Sequence, residues 1–107
     1  MKKTSENVVY QIVTLPVSRK SLKKLPTSVR KRLIESLQLL KTNPYHGEQL
    51  TCEWRLFRSF HFKHENVQYR VVYEVNEKEK LIIVRYAASR ENFYRELRNL
   101  KLKPLAA

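Results

Sequence analysis

The sequence predicts one small α+β domain in the order β-α-α-β-β-β-α, with helices packed on a twisted antiparallel sheet (1–107). Three observations predict it. A β-branched stretch near the start is followed by two basic segments with apolar residues at helical spacing. From Trp54 onward the apolar period falls to two, and after Ser89 it returns to helical spacing. A chain of 107 residues that is 42% hydrophobic has the apolar content of a folded domain and room for a single core. Residues 1–6 and 103–107 are expected to be flexible ends.

Residues 8–13 (VVYQIV) are β-branched and aromatic and read as a strand, ended by Leu15-Pro16. Residues 18–25 form a short amphipathic helix with Val17, Leu22 and Leu25 on one side and Pro26 as its stop. Thr27 or Ser28 caps a second helix whose apolar positions are Val29, Leu33, Leu37 and Leu40. Residues 42–47, with Asn43, Pro44 and Gly47, are a loop. Residues 54–63 (WRLFRSFHFK) alternate, with Trp54, Leu56, Phe60 and Phe62 on one face and Arg55, Ser59, His61 and Lys63 on the other. His64-Glu65-Asn66 turns into a strand over 67–75; residues 76–80 turn again into a strand over 81–86, and such short links predict an antiparallel meander. Ser89 caps a last helix over 90–101 with Phe93, Leu97 and Leu100 toward the core.

Composition excludes several kinds of chemistry. Lys and Arg number 22 against ten acidic residues, all of them Glu, for a net charge of +12. Without Asp there is no Ser-His-Asp triad, EF-hand loop or paired-Asp metal site. The sole glycine, Gly47, rules out a phosphate-cradling loop of the Gly-rich type. The sole cysteine, Cys52, has no internal disulfide partner and reads as a small buried hydrophobe in a reducing compartment. The start MKKTSEN lacks the apolar stretch of a signal peptide, and the aliphatic run over 81–84 is far short of the roughly 20 residues that span a bilayer, so a cytoplasmic location is expected. The excess positive charge calls for a polyanion or an acidic protein as partner, with nucleic acid or the ribosome foremost.

The strands carry polar interruptions that point to chemistry. His61 and Lys63 share a face, and on the next strand Arg70 breaks an apolar run. In the last helix Arg90, Tyr94 and Arg98 recur every fourth residue and line one stripe. His61, Lys63, Arg70, Arg90 and Tyr94 then surround one anion-sized site. Metal-free RNA cleavage requires little else: a base to deprotonate the ribose 2′-OH, cations for the phosphorane, and an acid for the leaving 5′-oxygen. Histidine is the side-chain type suited to proton exchange at neutral pH, which points to His61 as the base, while Arg70 and Lys63 clamp the phosphate and Tyr94 stacks on a base or assists proton transfer. No cofactor and no metal are expected, since His46, His64 and Cys52 do not form a zinc set and both histidines read as structural or solvent-facing. Further RNA or ribosome contacts are assigned to Arg55, Arg58, Arg98, Lys23, Lys24 and Lys31.

The run Tyr69-Arg70-Val71-Val72-Tyr73 after a basic strand, followed by Ser89-Arg90-Glu91-Asn92-Phe93-Tyr94, resembles the RelE/ParE toxins of bacterial type II toxin-antitoxin modules across nearly the whole chain. The RelE-like resemblance implies an mRNA interferase that cuts mRNA in the ribosomal A site with strand cations and a helix tyrosine. By position these are His61 and Lys63, Arg70 and Tyr94. Of the two arginines that often precede the tyrosine, Arg90 matches the second, while the first position reads Ala88. The resemblance also implies an acidic cognate antitoxin, and the charge of the first two helices puts its expected contact on Arg19, Lys20, Lys23, Arg30 and Lys31 together with the sheet edge. The ParE-like alternative implies poisoning of DNA gyrase, and a non-catalytic RNA-binding module is a further alternative. Arg70, Arg90 and Tyr94 together with His61 favour the nuclease.

Overall fold

The computed structural model describes residues 9–105. The chain runs β1 (Gln11–Thr14), α1 (Pro16–Lys23), α2 (Thr27–Thr42), β2 (Glu48–Gln49), a 3-10 turn (Cys52–Trp54), β3 (Arg58–His64), β4 (Val67–Asn76), β5 (Leu81–Ser89), a second 3-10 turn (Arg90–Asn92) and α3 (Phe93–Leu100). The strands form one five-stranded sheet in the order β1-β5-β4-β3-β2. Helices cover both of its faces, which makes an α+β domain of two apolar layers.

The first layer joins α2 to the sheet. Val29, Leu33, Leu37 and Leu40 fall on one helical stripe and pack on Phe60, Phe62, Tyr69, Val71, Tyr73, Ile82 and Val84. Leu33 and Leu40 are completely buried, so truncating either to Ala should cost about 2–5 kcal/mol. α1 approaches β5 through serines. Ser18 caps Leu15 by accepting from its N–H at 2.8 Å, and the Ser21 hydroxyl accepts from the Ala87 N–H at 3.2 Å. The second layer lies on the opposite face, where Phe93 and Leu97 of α3 pack on Phe57, Val72 and Tyr86.

Several expectations are corrected by this arrangement. The sheet is mixed: β1 runs parallel to β5, pairing Gln11 with Leu81, while the remaining pairs are antiparallel. Val8 and residues 1–6 lie outside the described residues. Val17 is exposed rather than core, since α1 buries its two serines against the sheet. The strand expected over 54–63 begins only at Arg58; Trp54 closes a 3-10 turn, Leu56 is exposed, and Phe57 is buried on the face opposite Phe60. β2 is an added element. β5 extends to Ser89 rather than ending at Tyr86, and the chain after it makes a 3-10 turn before α3, which leaves Leu100 exposed at the rim. Cys52 is exposed with φ 57°, not a buried hydrophobe.

The register of β4 and β5 shifts between Val72 and Tyr73, leaving Arg85 without a residue opposite it. This bulge turns Arg85 toward Glu74, and both are buried as an ion pair with the Arg85 guanidinium 5.6 Å from the Phe57 ring. Residues 103–107, expected to be a flexible end, are tied to this pair as far as Leu105: Arg85 also donates to the Lys103 carbonyl and the Leu105 N–H donates to Glu74, each at 2.7 Å. Ala106 and Ala107 lie outside the described residues.

Candidate active site

The β3–β4 pairing decides which polar side chains meet. His61 stands directly opposite Arg70, and Lys63 opposite Gln68, so these four project from two successive rungs on one face. It is the face that α3 covers. On its other side Arg70 pairs with Ala88 of β5, which packs at the edge of the Phe93 layer beside that rung. Tyr94, on the first turn of α3, closes over it with the Arg70 guanidinium 5.7 Å from its ring centroid, and Tyr94 is 41% exposed. Nε of Arg70 is buried with no hydrogen-bond partner among the described residues. A buried donor left unpaired in this way is costly in the free protein, and an anion at the rung would satisfy it.

The other expected residues are placed less uniformly. Arg90 belongs to the 3-10 turn, so the stripe expected with Tyr94 and Arg98 is broken. It lines a cleft of about 460 Å³ with Asn66, Gln68 and Glu91 at the hairpin end of the same face. Gln68 faces Lys63 across the hairpin and so links that cleft to the Arg70 rung. Arg58 is engaged internally: it donates to the Gly47 carbonyl at 3.0 Å and lies 5.1 Å from the Tyr45 ring. Arg55 and Arg98 are exposed. Lys31 is exposed on α2, and Lys23 and Lys24 end α1, so these cations belong to the helical layer on the other side of the sheet. His64 is half-buried at the end of β3, 3.3 Å from the Glu65 carboxylate.

Three residues near the rung escape a reading of the sequence. His46 and Glu48 line a recess of about 150 Å³ with Ser59 and His61. The loop reaches this position because the buried Tyr73 hydroxyl clasps it, donating to the Pro44 carbonyl at 2.8 Å and accepting from the Gly47 N–H at 2.9 Å. A Cβ on Gly47 would stand 2.7 Å from that hydroxyl, so the sole glycine permits a close approach. That isolated glycine is the signal available in the sequence. Trp54 is the third, with its ring 6.0 Å from Tyr94. The apparent alternation after it hid its turn.

A cationic rung, a guanidinium whose buried Nε has no partner among the described residues, and a histidine with an acidic and a second histidine neighbour can bind a phosphodiester and exchange protons at it. Among the described residues no cluster of three or more His, Cys, Asp or Glu could hold a metal ion, and no helix is long and apolar enough to cross a membrane.

Residues 12–98 match the model of the ParE-like toxins of type II bacterial toxin-antitoxin systems. The chain belongs to that family. The fold of this ParE-like toxin is that of RelE structures. It superposes on the toxin-antitoxin complex RelBE2 of Mycobacterium tuberculosis with a TM-score of 0.69 at 21% identity, covering 78% of this chain and 100% of that one. A mutant of the E. coli toxin RelE in the free state gives a TM-score of 0.69 at 20% identity, covering 88% and 99%. The archaeal RelE-RelB complex of Pyrococcus horikoshii gives 0.53 at 23% identity, covering 78% and 97%. No curated protein sequence matches the ParE-like toxin.

Proposed function

We propose that this toxin is a metal-independent endoribonuclease that cleaves mRNA on the ribosome by attack of a ribose 2′-OH, and that an acidic antitoxin restrains it. The observation that carries the reading is the Arg70 rung: a guanidinium with a buried, unpaired Nε, opposite His61 and beneath Tyr94. Arg70 and Lys63 hold the phosphate, and His61 takes the 2′-OH proton. Protonation of the 5′-oxygen falls to a neighbouring acid, for which Tyr94 and His46 are the candidates in reach of the same face. The product is a 2′,3′-cyclic phosphate. No cofactor enters the scheme.

The antitoxin is proposed from the family and from the charge of +12, which favours an acidic segment folding on the surface of α1 and α2 at Arg19, Lys20, Lys23, Arg30 and Lys31. A gyrase-directed activity is kept as the second reading because the matching family model is that of ParE-like toxins. The test is primer extension on a translated mRNA with purified protein, with and without ribosomes, alongside a gyrase supercoiling assay. New 5′ ends that require Arg70 support the nuclease. Intact mRNA with blocked supercoiling would replace it by the second reading.

A further inference from the structure

We propose that Trp54 is a nucleobase-stacking residue, holding the base next to the phosphate that Arg70 contacts. The inference rests on the RNA-cleaving reading and adds to it the residue that grips the message. Trp54 ends the 3-10 turn, fixed by its own N–H to the Thr51 carbonyl at 3.1 Å and by the Phe57 N–H to its carbonyl at 2.9 Å. Phe57, three residues on, is completely buried, whereas the larger indole only leans on that layer and stays partly exposed at its rim. An indole serving the core alone would bury its large apolar surface as Phe57 does. Its ring instead stands 6.0 Å from Tyr94, with the planes 41° apart, and Tyr94 stands 5.7 Å from the Arg70 guanidinium. Cation, phenol and indole thus follow one another across the open face. Such interleaving suits a single strand, because cations track the phosphates while π-faces take successive bases.

Trp54 is the sole tryptophan, so selectively excited emission reports on this position alone. The full chain is titrated at low ionic strength with a short oligoribonucleotide that is 2′-O-methylated throughout to block cleavage. A parallel titration uses an abasic oligomer of the same length and charge. Stacking predicts strong quenching by the first and little by the second. Trp54→Ala should weaken binding of the base-bearing oligomer on the order of tenfold and leave the abasic one unchanged, while Trp54→Phe retains most of the affinity. Equal quenching by both oligomers, or an equal loss of affinity for both in Trp54→Ala, overturns the proposal. Cleavage of unmodified message with no base-dependent signal at Trp54 rejects the stacking role and leaves the nuclease standing. Base-dependent quenching without cleavage, on free or ribosome-bound RNA, keeps the stacking role and rejects the nuclease. Failure of the base-bearing oligomer to bind rejects the stacking role, and the nuclease then stands or falls on the ribosome-dependent cleavage assay.

Discussion

Arg70 lies in the middle of β4 between a histidine on one neighbouring strand and an alanine on the other, a position where its removal leaves the backbone pairing untouched. Arg70→Ala should therefore lower RNA cleavage by about 10²–10³ while circular dichroism and thermal midpoint stay near those of the parent. Arg70→Lys should recover little of it, because a point charge lacks the planar fork. A folded Arg70→Ala that cuts at the parental rate would remove the rung from the mechanism. Gly47 tests the other side of the face. A methyl there meets the Tyr73 hydroxyl at 2.7 Å and the Ser59 carbonyl at 2.8 Å, and the second of these is backbone that cannot swing away. Gly47→Ala should cost about 1–3 kcal/mol by chemical denaturation and loosen the loop that carries His46. An unchanged denaturation midpoint would show that the clasp has slack.

Among elements, α2 was legible because its core positions obey one period, and the buried set Val29, Leu33, Leu37 and Leu40 is the one its spacing predicts. β5 was legible only as far as its aliphatic residues run; Ala87, Ala88 and Ser89 have weak strand preference and are held in the sheet by pairing with β4. The partner of β1 was not legible at all, since parallel pairing leaves no local mark. His61, Lys63 and Arg70 could be read as neighbours from alternation plus a short turn, whereas the placement of Arg90 depended on a 3-10 turn with no distinct signal. The bulged β4–β5 pair carries its own prediction. Arg85→Met removes the buried guanidinium from the Glu74 carboxylate and should cost about 3–5 kcal/mol, while Arg85→Met combined with Glu74→Leu should be considerably milder. Equal losses in the two variants would mean that the ion pair matters only through its packing. The seam between β5 and α3 predicts a pH effect. Burial and the hydrogen bond to Glu96 raise the pKa of Tyr86 above its ordinary value of 10.0. The native chain keeps this proton where the unfolded chain loses it, so stability is complete below about pH 10 and falls as pH rises further. Tyr86→Phe should flatten that alkaline slope, and an unchanged slope would assign it to another group.

On the scale of the molecule, charge governs encounter. With +12 on 107 residues, association with an acidic antitoxin should be fast at low salt and slow markedly as salt rises, because exposed charges are screened over about 8 Å at physiological ionic strength. Stopped-flow rates across a salt series measure this, and a flat profile would place the antitoxin contact on apolar surface alone. The long-range pairing of Gln11 with Leu81 acts in time rather than in space. The two partners lie 70 positions apart in the chain, so β1 has no strand to join until nearly the whole sheet has been synthesised. Loops of that length close late, and topologies built on them fold slowly. Until then α2 has only the β3–β4 hairpin beneath its leucine stripe, and β4, with Arg70, has not yet been followed by β5. β5 then brings Ile82 and Val84 under α2, and only the chain beyond it supplies Arg90 and Tyr94, so the candidate site is the last part of the molecule to be assembled.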